Sequence, residues 1–529
     1  MKKAYFILLL AFSCWREDKE IISSRVIPHN QEDKIIFVGD KVDALLGEES
    51  TLSIEMEDGE KLREVISESG NTIELTGGNS FKYSANKPNV VLDTVVAKVE
   101  GGDGRIRNMM ANLSVATRAT ISYIIYLAGD NDLGTDGFLH RDLKEIENSY
   151  IDTSKINIII YLDVPKREHF LKDKEYRPPG IYKLIDGKIR RVKDILEEKD
   201  TGNKETMVEC LKEALSFSKS ETHILDIWGH GLGVMGVGFD DYVGKSQAEV
   251  EDSSLTPNEL RDALKEGLGG KKLEVLMFSA CLMVNCGALY PLIEYAKTVV
   301  GSPEVVPADG SFYGGKNGIL GWLSRNNQLE AKDLAKNIAR INYESFLHGG
   351  DQHNARDHYH KYLCYTAIDM SIMSKVTEKA RSAFTSLYID PNFYFGNPYP
   401  NPNEENPFTG VENECLSYNN NDHDYRRNAE FLDLVDFLNV SKRIFPQLST
   451  ETKTNVDNLL ESLEKLMIFS KSIDEKYNGS NKSGISILYP REYFHTRESL
   501  RKASEFIDKS GWGDLVKEST WENENWADW

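Results

Sequence analysis

Four short apolar runs in the middle of the chain limit its fold more than any other feature. Each run is almost continuously apolar, as are strands buried on both faces of a parallel sheet. Helical patterns separate the runs, and one helix is predicted to begin at Thr256, with Pro257 in its first turn and Glu259 completing a capping box. The runs are Ile121–Leu127, Ile156–Leu162, His223–Trp228 and Leu273–Phe278. Alternating strands and helices predict an α/β fold, a mostly parallel sheet flanked by helices.

The regions on either side of this series differ from it. Residues 26–117 contain closely spaced pairs of glycine, aspartate and asparagine with short strand-like runs between them, which is typical of a small all-β sandwich. We predict an immunoglobulin-like spacer or docking domain there, and the α/β domain at 118–389. Residues 390–529 begin with a loop rich in asparagine and proline and continue with helical patterns. A mainly helical C-terminal subdomain is predicted, with one strand at Gly484–Tyr489.

The N-terminus has the pattern of an export signal. Two lysines follow Met1, residues 4–12 are an apolar run, and Ser13 precedes Cys14. The pattern resembles a lipoprotein signal peptide over residues 1–14, in which Cys14 is lipidated; the alternative is a plain secretory signal. We therefore expect a cell-envelope protein, lipid-anchored at the outer membrane or cell surface and touching the membrane through that anchor only. On the alternative, the protein is secreted.

Composition narrows the set of partners. The chain has 84 acidic residues against 63 lysines and arginines, a formal net charge of −21, which argues against a general role on nucleic acid. Its 6 cysteines are scattered and form no CxxC pair, so neither a disulfide scaffold nor a zinc site is predicted. His353, His358 and His360 lie close together, but no carboxylate spacing typical of metal ligands accompanies them, and no metal site is predicted there.

Two of the predicted strands end in residues suited to catalysis. The third strand runs into Trp228-Gly-His230-Gly231, and the fourth into Ser279-Ala-Cys281. Reacting groups collect at the carboxyl ends of strands in such sheets, and an imidazole beside a thiol makes the reactive thiolate available at neutral pH. Either residue alone could be structural, since buried cysteines often act as small apolar groups. Their paired positions predict a Cys-His pair for acyl transfer.

Motifs around these two residues resemble the clostripain-like cysteine peptidases, whose caspase-like fold is related to that of gingipains and legumain. The similarity runs from about residue 118 to the end of the chain, and the histidine and cysteine motifs are specific as an ordered pair. The similar segments are Ile124–Leu133, Trp228–Gly231, Phe278–Met283, Thr366–Asp369, Phe431–Leu434 and Gly484–Pro490.

The resemblance implies a cysteine endopeptidase acting on protein or peptide substrates. Cys281 would attack the scissile carbonyl and His230 would act as acid and base. The backbone amides of Gly231 and Cys281 would bind the oxyanion. No third carboxylate is needed or indicated. The chemistry requires no cofactor; Ca²⁺ is compatible with the resemblance but cannot be read from the sequence.

Specificity is where the chain departs from the family pattern. Many relatives cleave after Arg or Lys and carry an aspartate two residues before the nucleophile, where this chain has Ser279. Asp309 lies in a later loop that lines the pocket in relatives, and it could retain part of that preference. We predict cleavage after Arg or Lys, with a polar or small residue as the alternative.

The stretch between the histidine and the cysteine contains a predicted processing site. Residues 236–254 are glycine-rich and then acidic, without apolar periodicity, so we expect an exposed, mobile loop. Relatives are commonly cut after a basic residue in this interval, and Lys245 is the only lysine or arginine there. Self-cleavage between Lys245 and Ser246 would open the pocket; the alternative is an ordinary connecting loop.

Two other classes of function are compatible with the sequence. A catalytically weak or inactive surface lipoprotein would act as a binding module; Ser279 slightly favours that interpretation, whereas the retention of His230 and Cys281 opposes it. A hydrolase of small amides or a transpeptidase would use the same pair of residues.

Overall fold

The structure is a computed structural model, and it divides into two compact units. One unit comprises residues 1–87 with 93–113, and the other comprises residues 88–92 with 114–529. Cys14 and Lys245 lie outside the residues that the structure describes. The described residues are 33–34, 43–87, 92–165, 177–195, 199–241, 253–347, 349–352, 363–393, 415–418, 431–473, 482–489 and 504–517.

The first unit is built from β-strands. They are β1 (Asp33–Lys34), β2 (Asp43–Leu45), β3 (Glu49–Ser53), β4 (Lys61–Ser67), β5 (Thr72–Gly77), β6 (Ser80–Ser84), β7 (Leu92–Glu100) and β8 (Ile106–Arg118), the last of which ends in the second unit. β6 pairs antiparallel with β3 and β5, and β4 pairs antiparallel with β7 in a second sheet that continues to β8. Every second residue of β7 is buried, from Asp93 to Val99, because one face of the strand faces a core. The predicted all-β region is confirmed.

A sheet of nine strands forms the centre of the second unit. Its strands are β9 (Ile121–Ala128), β10 (Ile156–Asp163), β11 (Gly180–Ile185), β12 (Lys188–Asp194), β14 (Thr222–Trp228), β15 (Leu273–Ser279), β16 (Ala296–Gly301), β17 (Cys364–Asp369) and β20 (Met467–Ser472). The short β13 (Ser218–Lys219) is not part of this sheet and pairs with the end of β8. Their order is β12-β11-β10-β9-β14-β15-β16-β17-β20. The five central strands, from β10 to β16 in this order, are parallel, and both edges are extended by antiparallel pairing. The predicted α/β class is confirmed.

The apolar runs predicted as strands form four of the five central strands, β9, β10, β14 and β15. All residues of β9 are buried, because alternate side chains enter two different cores. Tyr123 and Ile125 pack into one hydrophobic cluster, and Ile124 and Tyr126 pack into the other. A strand that is apolar on both faces therefore has a helical layer on each side of it.

Helices supply these two layers. They are α1 (Asp132–Thr135), α2 (Phe138–Glu147), α3 (Lys204–Phe217), α4 (Pro257–Gly267), α5 (Cys286–Leu289), α6 (Ile319–Arg325), α7 (Ala331–Ser345), α8 (Met370–Ile389), α9 (Leu434–Ile444), α10 (Thr450–Leu466), α11 (Ser504–Ser510) and α12 (Trp512–Lys517). α2, α6 and α7 cover one face of the sheet, and α3, α4 and α8 cover the other. α4 begins at the predicted capping box of Thr256 and Glu259. Among the described helices, none combines the length and apolar character needed to cross a membrane.

The described residues after 390 are mainly helical, as predicted, but they also supply strands that sequence analysis misses. β20 follows α10 directly and pairs with β17, so it forms one edge of the nine-stranded sheet. A smaller sheet contains β18 (Ser417–Tyr418), β19 (Phe431–Asp433) and β21 (Ser486–Leu488), and β21 lies inside the strand predicted at Gly484–Tyr489. Trp512 is fully buried, and its indole N–H donates a hydrogen bond of 2.7 Å to the carbonyl of Leu488.

Candidate active site

His230 lies in a turn immediately after β14, and the glycines on either side of it let that turn approach its neighbours. Gly229 has φ +141°, and a Cβ atom there would come within 2.8 Å of the Ala128 carbonyl oxygen. A Cβ atom on Gly231 would come within 2.6 Å of the Cys281 carbonyl oxygen. Because neither position has room for a side chain, the turn packs directly against the ends of β9 and β15. The His230 side chain is 40% exposed.

Cys281 follows β15, the strand next to β14. The two strands run parallel, and their register pairs Trp228 with Ser279. His230 and Cys281 are each two residues beyond this pair, so they leave the sheet at the same level of adjacent strands. The close approach of Gly231 to Cys281 shows that the two segments stay in contact beyond the sheet. The structure therefore brings the two predicted reacting residues to one edge of the sheet.

The backbone around Cys281 is held by the loop that follows β16. The Val306 N–H lies 3.2 Å from the Cys281 Sγ, with the geometry of a donor to sulfur. The next residue, Leu282, has φ +64°, and its N–H donates to the Glu304 carbonyl over 3.1 Å. A left-handed conformation costs a non-glycine residue about 1 kcal/mol or more, so it persists only where neighbouring contacts fix it. The Cys281 Sγ also lies 3.9 Å from the Val306 carbonyl oxygen, so the sulfur contacts both backbone groups of that residue.

Asp132 is a neighbour of His230 that sequence analysis does not identify. It is the first residue of α1, and its Oδ1 lies 2.6 Å from the His230 Nε2. The hydrogen bond with His230, supported by the charge of the imidazole, lowers the pKa of Asp132. The sequence contains a usable signal, because Asp132 follows β9 and β9 is the neighbour of β14. Recognising it requires the strand order, which the sequence does not state.

Ser279, the last residue of β15, is buried and contacts a buried carboxylate from the next strand. Its Oγ lies 2.7 Å from the Oδ1 of Asp226 and 2.7 Å from the Oγ of Ser311. Tyr123 and Tyr313 donate to the other oxygen of Asp226 over 2.9 and 2.7 Å. Burial raises the pKa of Asp226 to about 6, against the effect of these hydrogen bonds. The charged residue in the otherwise apolar run His223–Trp228 is the signal that sequence analysis passed over.

Asp309 lies on the loop that joins these contacts. The loop touches Cys281 through Val306 and touches Ser279 through Ser311, so Asp309 is between the two contact points. The Asp309 carboxylate forms an ion pair with the guanidinium of Arg141, which is on α2. The carboxylate side chain is 16% exposed and the arginine side chain is 52% exposed. The predicted pocket carboxylate is therefore present, but it is paired with a cation of the same chain.

Two more acidic groups lie on the same side of the sheet, Asp142 buried and Glu145 half-buried. The Trp228 indole N–H donates to the Oδ2 of Asp142 over 2.6 Å. Burial, followed by the charge of Glu145, raises the pKa of Asp142 well above its usual value. Burial also raises the pKa of Glu145 to about 7. This side of the site can therefore gain or lose protons close to neutral pH.

The interval between His230 and Cys281 is less exposed at its ends than predicted. Val237 and Leu255 are completely buried and exchange two backbone hydrogen bonds as an antiparallel bridge. Asp240 is also buried and accepts from the Thr201 N–H over 3.0 Å. The expectation of an exposed loop is wrong for these ends, because they close a packed turn beside His230. Lys245, in the middle of the interval, lies outside the described residues.

Three buried carboxylates lie near this turn. Asp130, Asp163 and Asp240 each offer an oxygen within 4.8 Å of the others. An all-oxygen donor set fits Ca²⁺ or Mg²⁺ and does not fit the nitrogen and sulfur preference of Zn²⁺. These are the residues in the described part of the chain that could hold a divalent cation. His353, His358 and His360 lie outside that part.

Three of the other four described cysteines are poor nucleophiles, and the fourth, Cys415, is partly buried. Cys210, Cys286 and Cys364 are buried, and burial raises the pKa of each thiol, to about 12 for Cys286. A thiol of that pKa is almost entirely protonated at neutral pH and reacts slowly. Cys281 is only partly buried, and it is the cysteine at the edge of the sheet where His230 lies.

Comparisons with known proteins bear on this site. The sequence profile of the clostripain family matches residues 125–526. A structure of a secreted C11 cysteine protease from Bacteroides thetaiotaomicron, in complex with an irreversible peptide inhibitor, is similar with a TM-score of 0.52 and 17% identity, over 74% of this chain and 99% of that one. A second structure of a secreted C11 cysteine protease from the same organism, described as iotapain, has a TM-score of 0.50 and 14% identity over 74% of this chain and 99% of that one. A comparison with curated proteins gave no match.

The profile covers more than half of the chain, including the turn with His230 and the segment with Cys281. The two solved structures, at their low identities, add a likeness of fold. Together these findings confirm the predicted recognition and the predicted enzyme class, a cysteine-type peptidase. The chain belongs to the clostripain family.

Proposed function

We propose that the chain is an endopeptidase in which Cys281 is the nucleophile and His230 transfers the proton. One observation carries this proposal: the parallel register of β14 and β15 brings the two residues to the same level, and Gly231 has no side chain to separate the segments. The hydrogen bond between His230 Nε2 and Asp132 leaves Nδ1 as the ring nitrogen that exchanges a proton with the thiol. Asp132 is then a positioning residue.

The reaction proceeds in two halves. The Cys281 thiolate attacks the peptide carbonyl, and the negative oxygen is bound by the backbone N–H groups of Gly231 and Cys281. His230, protonated by the thiol, gives its proton to the leaving amine, and the C–N bond breaks to leave a thioester. His230 then removes a proton from water, which attacks the thioester and releases the acid. These steps require no cofactor.

The dyad is tested with Cys281→Ala and His230→Ala, purified beside the wild type. Both variants should lose cleavage of a mixed peptide library, and Cys281→Ala should also lose labelling by a thiol-reactive peptide probe. Product masses separate hydrolysis from ligation, and thiol labelling separates an enzyme from an inactive binding module. Cleavage retained by Cys281→Ala would overturn the assignment.

We further propose cleavage after Arg or Lys, with a polar or small residue as the alternative. The support is the Asp309 carboxylate, on the loop that contacts Cys281 through Val306. Negative charge draws a basic side chain toward the pocket. A library with every residue before the scissile bond, read by mass spectrometry, tests this preference.

Self-processing after Lys245 is the next part of the proposal. The bridge between Val237 and Leu255 ties both ends of the interval, and the pairing of β14 with β15 would keep the two products together after a cut. Wild type, Cys281→Ala and Lys245→Ala are compared by mass spectrometry. A cut seen only in the wild type supports self-processing, whereas a fully active, uncut wild-type chain refutes it.

The location of the protein is proposed from its first residues. Cys14 would carry a lipid that holds the enzyme at the outer membrane or cell surface, with the all-β unit as spacer or docking module; the alternative is secretion. One of the similar solved structures is described as a secreted protease, which fits activity outside the cytoplasm. Labelling with a fatty-acid analogue, lost in Cys14→Ser, tests the anchor.

A further inference from the structure

The ion pair between Arg141 and Asp309 stands where a substrate side chain would meet the protein. The loop carrying Asp309 touches Cys281 at Val306 and touches Ser279 at Ser311. A side chain that enters beside the nucleophile and points toward Ser279 therefore passes along this loop. Gly310 also packs against the Asp142 carboxylate, with a Cβ position 3.1 Å from its Oδ2, so the loop is pressed against α2. Arg141 is the neighbour of Asp142 on that helix.

We propose that Arg141 is a specificity determinant, because it neutralises the carboxylate that would otherwise bind a basic substrate side chain. The inference rests on the peptidase function proposed above and concerns its substrate class. With the pair intact, a lysine or arginine of the substrate keeps only part of the advantage over an uncharged residue of similar size that an unpaired Asp309 carboxylate would give it. The wild-type pocket is therefore weakly selective for basic residues, and the protein supplies its own competing cation.

Asp309, and not Asp226, is the carboxylate that determines how strongly the pocket selects a basic substrate side chain. Asp226 is completely buried, and hydroxyl groups of Ser279, Tyr123 and Tyr313 all bond to its carboxylate. A substrate cation would have to displace one of these bonds and lose its own hydration, which is costly. Asp309 keeps part of its surface in contact with solvent and so can bind a new cation.

Arg141 can compete with a substrate cation for the Asp309 carboxylate, and the substrate cation can also displace it. Its guanidinium lies 4.3 Å from the centre of the Phe138 ring, one turn back on α2, so the cation is held between an aromatic face and a carboxylate. About half of its side chain is exposed. Ion pairs with this exposure are weak, because water and salt screen them, so a substrate can exchange with Arg141 at moderate cost.

The test uses three peptides that differ only in the residue before the scissile bond, Lys, Gln or Glu, and compares wild type with Arg141→Met. Methionine keeps the apolar contact with Phe138 and removes the charge. We expect the Lys-to-Gln ratio of kcat/KM to rise about tenfold in Arg141→Met, mainly through a lower KM for Lys. Arg141→Lys is the matched control, because it keeps a cation, and its ratio should stay within about twofold of the wild type.

A second variant checks the other half of the pair. Asp309→Asn leaves the cation of Arg141 without this carboxylate, so the Lys-to-Gln ratio should fall and the Glu-to-Gln ratio should rise. The double variant Arg141→Met with Asp309→Asn should respond little to the charge of the substrate. Melting temperatures of all variants confirm folding, and the ratios within one variant are independent of its active fraction.

The outcomes separate this inference from the function on which it rests. If Cys281-dependent cleavage occurs but Arg141→Met leaves the Lys-to-Gln ratio unchanged, Arg141 does not set specificity. A ratio that rises equally in Arg141→Lys also overturns the inference, since that variant keeps the charge. Absence of Cys281-dependent cleavage of all three peptides overturns the peptidase proposal itself and the inference with it.

Discussion

The loop after β16 carries two ion pairs that differ in their exposure to solvent, one buried and one at the surface. Glu304 and Lys482 lie 2.6 Å apart with side chains only 1% and 2% exposed, whereas Arg141 and Asp309 form their pair at a half-exposed surface. The first pair joins the loop after β16 to the C-terminal residues, close to the hydrogen bond that fixes Leu282. The second lies between the points where the same loop contacts Cys281 and Ser279. Removing one partner of the buried pair leaves an uncompensated buried charge and costs much stability, whereas water can solvate the charge left by breaking the exposed pair. The buried pair therefore holds the loop in place, and a substrate can replace one partner of the exposed pair.

The largest effect is expected from breaking the buried pair on one side only. Lys482→Met leaves the Glu304 carboxylate buried without this cation, and we expect a loss of about 3–5 kcal/mol in the free energy of unfolding. The double variant Glu304→Gln with Lys482→Met removes both charges and should recover most of the loss. Urea unfolding of the three proteins measures it. Equal destabilisation by the single and double variants would show that packing, and not charge, is responsible.

A buried carboxylate held by hydroxyl groups gives a second, pH-dependent effect. The folded pKa of Asp226 is about 6, above its ordinary value of 3.8. Between these values the folded protein keeps the proton that the unfolded chain has released, so stability falls as the pH rises through this window. We expect Asp226→Asn to lack this part of the pH dependence. Melting temperatures from pH 4 to 7 provide the comparison, and parallel curves for the two proteins would contradict the expectation.

The exposed contact of Asp132 with His230 should matter for rate rather than for stability. Asp132→Asn weakens the orientation of the imidazole, and we expect kcat to fall on the order of tenfold, while the melting temperature changes little. A fall in kcat with an unchanged KM distinguishes a positioning role from a structural one, because the imidazole acts on the reacting atoms and not on substrate binding. A rise in KM with an unchanged kcat would contradict the positioning role.

The smallest effect on stability is expected at the exposed pair of the loop. Arg141→Met should change the free energy of unfolding by less than about 1 kcal/mol, in contrast to Lys482→Met. The same urea experiments measure both. A loss at Arg141 as large as that at Lys482 would mean that the two pairs are equivalent and that the pocket pair also supports the fold.

The sequence predicts the centre of the sheet better than its edges, for a physical reason. Strands β9 and β15 are buried on both faces, so their sequences are almost continuously apolar and stand out. The edge hairpin of β11 and β12 is partly solvated, and its clear signal is the turn at Asp186 and Gly187, which have φ values of +50° and +71°. β20 begins where α10 ends, so the helical pattern before it hides the change of period.

The same reasoning applies to the site. His230 and Cys281 could be predicted because each stands directly after an apolar run. Asp132 and Asp226 act across strands, so their roles depend on strand order and register, which one sequence does not contain. The pairing of Arg141 with Asp309 joins residues far apart in the chain, and no local pattern in either segment marks it.

Because Gly231 has no side chain, the segment that carries His230 can pack closely against the segment that carries Cys281. A Cβ atom at Gly231 would lie 2.6 Å from the Cys281 carbonyl oxygen and 3.0 Å from the Cβ of Ala280. A single added methyl group would therefore push the histidine turn away from the nucleophile while both reacting side chains are kept. A larger side chain in the histidine motif therefore requires a smaller one at the facing position of the cysteine motif. Gly231→Ala should give a full-length protein that still binds substrate but turns it over inefficiently.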